Sequence, residues 1–261
     1  MTKETMTTTR FAPGTFTPAP KRASAARMFA AQGRMETILF LRHGEQLLLS
    51  VIIPLIMLVA TARMPLLGEE TTIQQILPMI LAIATTSSGF TGQAIALAFD
   101  RRYGALKRTG ASGVPASTII AGKVIAVAVM AGLQTLLLGT VALVLGWRAE
   151  PLGVLLALVV LFIGVAAFSA LGLLMGGTLS SELVLALGNL IWVLLVGVVG
   201  WVLWSQGLDV AGWWTLVPSV ALASGLTLAF DGSLPWLEIL VLLAWAGAAS
   251  AAAAKWFRFE A

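Results

Sequence analysis

The sequence predicts an all-α, polytopic membrane protein. It has six transmembrane helices, an N-terminal amphipathic helix ahead of them, and a re-entrant or interfacial helical segment before the last span. Three observations predict this. Of 261 residues, 59% are apolar and only 11% are charged, whereas a soluble domain carries about 25% charged residues. The apolar residues fall in runs long enough to cross a hydrocarbon layer, which takes about 20 residues at 1.5 Å rise each. The basic residues gather on one side of those runs. Together these exclude an ordinary soluble enzyme and a wholly disordered chain. With no cysteine and one histidine, a disulfide scaffold is excluded as well. Little remains from which to build a zinc site or a thiol nucleophile.

Residues 1–20 are rich in Thr and Pro without an apolar period, and read as a disordered cytoplasmic tail. No apolar run follows the basic residues closely enough for a signal peptide. Residues 21–45 differ. Met28, Phe29, Met35, Ile38, Leu39 and Phe40 recur at near-helical spacing among Lys21, Arg22, Arg27, Arg34, Glu36 and Arg42. That pattern suits a helix lying along the membrane surface; the plainer alternative is a polar lead-in to the first span. Residues 46–261 form the transmembrane region, with six apolar runs: Gln46–Ala62, Thr72–Phe99, Pro115–Trp147, Pro151–Leu179, Leu183–Ser205 and Leu234–Trp256. The first is short, so its helix should begin before Gln46. The third is long and should tilt or protrude. Pro115 and Pro151 suit first-turn positions, while Pro54 and Pro78 lie inside spans and predict kinks. Between the fifth and sixth runs, Ala211–Leu228 is apolar with Pro218 in its middle. A re-entrant or interfacial helix pair fits better than a seventh broken span. A seventh span would carry Lys255 and Arg258 to the far side, against the charge bias.

Thirteen of the sixteen Lys and Arg residues fall on the side shared by the two termini, which orients that side to the cytoplasm. Arg63 and Arg148 fall on the other side. Lys123, about two turns into the third span, is expected to snorkel back to the basic side. The opposite loops carry acids instead: Glu69, Glu70, Glu150, Asp209, Asp231 and Glu238. Trp147, Trp201, Trp204, Trp213, Trp214 and Trp236 cluster at that outer interface, where amphipathic rings are favoured. Trp192 and Trp245 sit mid-span and read as packing.

The sequence has no Walker A loop with which to cradle ATP phosphates and no His/Glu cluster at metal spacing. His43 stands between Arg42 and Glu45 at the membrane edge and reads as a solvated interfacial residue. No carboxylate is expected within the hydrocarbon, which weighs against an ion-coupled secondary carrier. A lipid-processing enzyme would have to draw on His43, Glu69, Glu70, Asp209 and Asp231. The second span holds a polar stretch, Thr85, Thr86, Ser87, Ser88, Gly89, Thr91, Gly92 and Gln93. It could line a substrate path or, more plainly, let helices approach closely. Gly172 and Gly176 form a small-xxx-small pair of the same ambiguous kind. The most informative stretch joins the second and third spans: FDRRYGALKRTGASGVPAS, Phe99–Ser117. It reads as a short amphipathic helix with Tyr103 and Leu106 on one side and Arg101, Arg102, Lys107 and Arg108 around them. Gly110 and Gly113 break it before Pro115. Taken alone, it could be only an orienting basic loop.

That stretch resembles the acid-Arg-acid-x-Gly-Thr-Leu-charged-Arg segment of type-2 ABC transporter permeases, the membrane subunits of drug, lipid and polysaccharide exporters. Asp100, Arg101, Gly104, Leu106, Lys107 and Arg108 match. Arg102 stands where an acid is usual, Ala105 replaces Thr, and Gly113 stands where Pro is frequent. The likeness extends to the N-terminal helix, the six-span order and LVPSVALASG from Leu216 to Gly225. It implies that Asp100–Ser112 is a coupling helix seated in a separate ATP-binding subunit. The connecting helix with Arg27, Arg34 and Arg42 would lie beside it, and Ser180–Glu182 would make a minor contact. It implies two ATP-binding subunits carrying ATP and magnesium, a second permease chain, identical or homologous, and no cofactor or nucleic acid on this chain.

Overall fold

The computed structural model describes residues 23–42, 44, 48–64, 71–111 and 113–256. The expected tail at 1–20, the residues Lys21, Arg22, His43, Glu45, Gln46, Glu69, Glu70, Ser112 and Arg258, and the start of the first span lie outside them. Every regular element among the described residues is helical. α1 is Ala25–Arg42. A π-helical turn, Leu48–Ile52, leads into α2, Ile53–Arg63. The second span runs as α3 (Ile73–Thr86), a π turn (Ser87–Gly92) and α4 (Gln93–Arg102). α5 is Ala105–Ala111, α6 Ala116–Val144, α7 Pro151–Thr178 and α8 Ser181–Ser205. A 3-10 turn, Gly212–Leu216, precedes α9, Pro218–Phe230, and α10 is Trp236–Trp256. Five of these helices are long and apolar enough to cross a membrane, and Ser50–Arg63 and Pro218–Phe230 are shorter apolar helices. Of the six expected spans, five are met by helices of spanning length, and the helix of the first is shorter among the described residues.

The prolines act locally. Pro54 lacks the N–H that would bond the Ser50 carbonyl, and the π turn lies just before it. The side-chain amide of Gln134 on α6 donates to that orphaned Ser50 carbonyl instead. α3 continues through Pro78, and the irregularity of this span falls at Ser87–Gly92 rather than at the proline. At the N-terminus of α3 the Gln75 side chain reaches back to the Thr72 N–H at 3.1 Å, as in a capping box.

α7 is the hub, packed against α4, α6, α9 and α10, with Phe168 fully buried at its middle. Its glycines set the spacing. A Cβ on Gly172 would sit 2.6 Å from the Phe90 carbonyl, and one on Gly153 2.5 Å from the Phe230 carbonyl. Gly172 therefore serves close helix packing, the plainer of its two readings.

The segment between α8 and α10 is re-entrant. Along antiparallel α7 and α9, Gly153 faces Phe230, Val160 faces Gly225 and Gly164 faces Leu222. Leu222 therefore lies some 13 residues, about 20 Å, below the end of α7 where Trp147 packs edge-on against Phe230 at 5.0 Å. At the tip, Ser219 Oγ donates to the Leu195 carbonyl in the middle of α8, and Trp245 Nε1, midway along α10, donates to the Leu216 carbonyl, both at 3.0 Å. Irregular backbone survives at membrane depth only where protein satisfies it. Trp245→Phe should therefore lower stability by about 1–3 kcal/mol, read as a fall in the thermal midpoint, while Trp256→Phe leaves it unchanged.

Burial corrects two placements. Glu238, expected in an outer loop, is only 7% exposed in the first turn of α10. The returning α9 covers it, and Ser224 Oγ donates to it at 3.3 Å. Lys123 does not snorkel out: it is 3% exposed, roofed by α1 and α4.

Candidate functional site

The family-like segment sits at the basic end of the bundle, and it is not one helix. α4 ends at Arg102, the chain turns at Tyr103–Gly104, and α5 begins at Ala105. Gly104 has φ +66°, a left-handed conformation that costs a side-chain-bearing residue but not glycine. The Arg108 guanidinium closes the turn by donating to the Tyr103 carbonyl at 2.9 Å. The expected continuous helix from Asp100 to Ser112 is thereby divided: Asp100, Arg101 and Arg102 belong to the second span, and the rest to a short protrusion.

These three consecutive residues address three different places. Asp100 Oδ2 accepts from Lys123 Nζ at 2.7 Å, and the same ammonium donates to Glu36 Oε2 on α1 at 3.1 Å. Gln32 Nε2 donates to the other Glu36 oxygen at 3.0 Å. One buried cation on α6 thus holds α1 and α4 together. Arg101 is 5% exposed, and its guanidinium donates to the carbonyls of Gly176 and Leu179, both at 2.9 Å. Those are C-terminal carbonyls of α7 that the helix cannot satisfy itself, at the negative end of its dipole. Arg102 donates to Ser181 Oγ at 3.0 Å and pairs with Glu182 at the start of α8. That last pair is exposed, so solvent screens it and it holds α8 only weakly.

The protrusion has an inside and an outside. Leu106 is buried with Leu97, Ile119 and Leu173, while Tyr103 is 66% exposed and stacks on Phe99. The two do not share a face, as the helical reading expected, because the turn at Gly104 separates them. Lys107 and Arg108 are exposed, as are Arg27, Arg34 and Arg42 of α1. In the second span, Thr85, Thr86, Ser88, Thr91 and Gln93 are buried within the subunit, and only Ser87 is half-buried. Thr86 and Ser88 donate to the carbonyls of Ala82 and Ala84 in their own helix. That geometry suits close packing at Thr86 and Ser88, while Thr91 Oγ1 and Gln93 Oε1 are buried without a hydrogen-bond partner among the described residues. Asp209 and Asp231 are exposed in turns, and no group of three metal-ligating side chains occurs among the described residues.

Lys123, Glu36 and Gln32 were not expected at this site. The signal for them was a lysine within an apolar run, which flags a buried partner as readily as a snorkelling side chain.

A family model described as ABC-2 type transporter matches residues 29–234. No curated protein and no solved structure gives a match. The matched stretch takes in most of α1, the branched contacts of Asp100, Arg101 and Arg102, the α5 protrusion and the whole re-entrant segment. The chain belongs to the ABC-2 type transporter family, as a multi-pass membrane permease subunit of an ABC transporter.

Proposed function

We propose that this chain carries a hydrophobic or amphipathic substrate, a drug or lipid, across the cytoplasmic membrane in an exporter driven by ATP hydrolysis on separate subunits. Two ATP-binding subunits would hold the ATP and magnesium, and two permease chains would enclose the path, with both termini in the cytoplasm. This chain would itself bind no cofactor. The observation that carries the reading is the α5 protrusion rooted through Asp100, Arg101 and Arg102. A displacement of α5 by the closing nucleotide-binding dimer would act on α6 and α1 through Lys123, on α7 through Arg101 and on α8 through Arg102. Lys107, Arg108 and Tyr103 face outward, where a partner could press.

Charge reversal at Lys107 and Arg108, both exposed, should leave folding intact and lower substrate-stimulated ATPase activity of the reconstituted transporter at least tenfold. Retention of full stimulation in the Lys107→Glu/Arg108→Glu chain rules out coupling through α5.

A further inference from the structure

We propose that the outward face of α1 is a binding surface for anionic phospholipid. The helix has two faces of opposite character. Its inward face is locked to α6: Gln32 and Gly33 are buried there, and a Cβ on Gly33 would lie 2.8 Å from the Ile125 side chain. Glu36, the one acid in α1, is turned inward and neutralised by Lys123.

The outward face keeps only positive charge. Arg27, Arg34 and Arg42 are exposed and have no carboxylate partner among the described residues. At 3.6 residues per turn, the three fall within an arc of about 100° along a line of about 22 Å. Between and beside them stand Met35, Ile38, Leu39 and Leu41, each 40–47% exposed. In water such a patch invites association, and arginines in bare hydrocarbon are costly. The boundary between headgroups and acyl chains satisfies both kinds of side chain. The helix also sits at that level, because it roofs Lys123 about two turns from the start of α6.

Anionic lipid is selected over zwitterionic by three guanidinium groups that have no carboxylate partner among the described residues. Each fits a phosphate bidentately and adds about fivefold to the affinity for an anionic surface. A soluble partner accounts less well for the apolar residues interleaved with the arginines than acyl chains between phosphates do. The surface belongs to α1 itself and does not depend on what the chain transports.

The test uses the full chain in neutral detergent at low salt. Thermal unfolding is followed with added phosphatidylglycerol, with phosphatidylcholine at the same mole fraction, and with glycerol 3-phosphate as the soluble headgroup. Native mass spectrometry counts the retained lipids. Phosphatidylglycerol should be retained at least tenfold over phosphatidylcholine and raise the midpoint, and glycerol 3-phosphate should do neither. Arg27→Gln/Arg34→Gln/Arg42→Gln should bring the preference below twofold, while the three Lys replacements keep it. A folding defect would lower the phosphatidylcholine baseline and leave the ratio readable. Equal retention of the two lipids by the natural chain overturns the proposal, as does an undiminished preference in the Gln variant. Equal stabilisation by glycerol 3-phosphate would make the surface a simple anion site and also overturn it. If the Gln variant sheds a co-purified ATP-binding subunit and keeps its lipid preference, the face is a protein docking surface and the lipid assignment falls.

Discussion

Arg101→Met should destabilise the transporter more than any change on the exposed protrusion. The arginine is buried and holds two carbonyls at the end of α7. Each charge-assisted bond of this kind contributes about 1.5–3 kcal/mol, and its removal leaves the Gly176 and Leu179 carbonyls short of a donor. A loss of about 3–5 kcal/mol is expected, read as a drop in the thermal midpoint of the purified chain. Arg101→Lys should recover part of it, because a single nitrogen, Nη1, serves both carbonyls and a lysine ammonium on its shorter stem replaces that nitrogen only in part. Arg108→Met, exposed and bonded only to its own turn, should stay within about 0.5 kcal/mol. Under the proposed coupling, in a chain that still assembles with its ATP-binding subunit, Arg101→Lys should also lower transport per ATP hydrolysed, since α7 would follow α4 less faithfully. If Arg101→Met unfolds no more readily than Arg108→Met, the contact between α4 and α7 is not the anchor described above.

Lys123→Met should release α1. Without the ammonium, Glu36 and Asp100 face each other as like charges, and stranding a buried charge costs about 3–5 kcal/mol. Asp100 keeps a 36% exposed side chain that water can solvate, so the lower end, about 3 kcal/mol, is expected. Trypsin should then cut faster at Arg34 and Arg42, because a docked helix resists cleavage and a detached one does not. The neutral combination Lys123→Met with Glu36→Gln and Asp100→Asn should restore much of the stability, since burial of neutral, hydrogen-bonded groups costs far less. A Lys123→Met chain that keeps its midpoint and its protease resistance would show that packing, not charge, holds α1: Gly33 against Ile125, and Gly122 of α6 against Gln32.

Much of this architecture was legible in the sequence because bilayer physics is blunt. A run such as Pro151–Leu179 can be nothing but a long apolar helix, and it is found as Pro151–Thr178. Pro151 does occupy the first turn. The proline within Ala211–Leu228 did mark a break in an apolar stretch. The site was legible only in outline. The run from Asp100 to Arg108 looks like one helix to any periodicity argument, because Tyr103 and Gly104 are a single turn's worth of ambiguous residues. The positive φ at Gly104 is a tertiary choice that lets α5 fold back and bury Leu106.

The sequence by itself determined that this is a multi-pass helical membrane protein and which end is basic, because those follow from the transfer cost of each side chain taken singly. Only the tertiary structure decided what the scarce polar groups do there. It turned Arg101 onto the end of α7, placed Lys123 between Glu36 and Asp100, brought Gln134 to the carbonyl that Pro54 orphans, and folded the segment before α10 back against the middles of α8 and α10. A buried charge or carbonyl must find its partner in space, and 75 residues separate Arg101 from Gly176. No local pattern along the chain encodes that pairing.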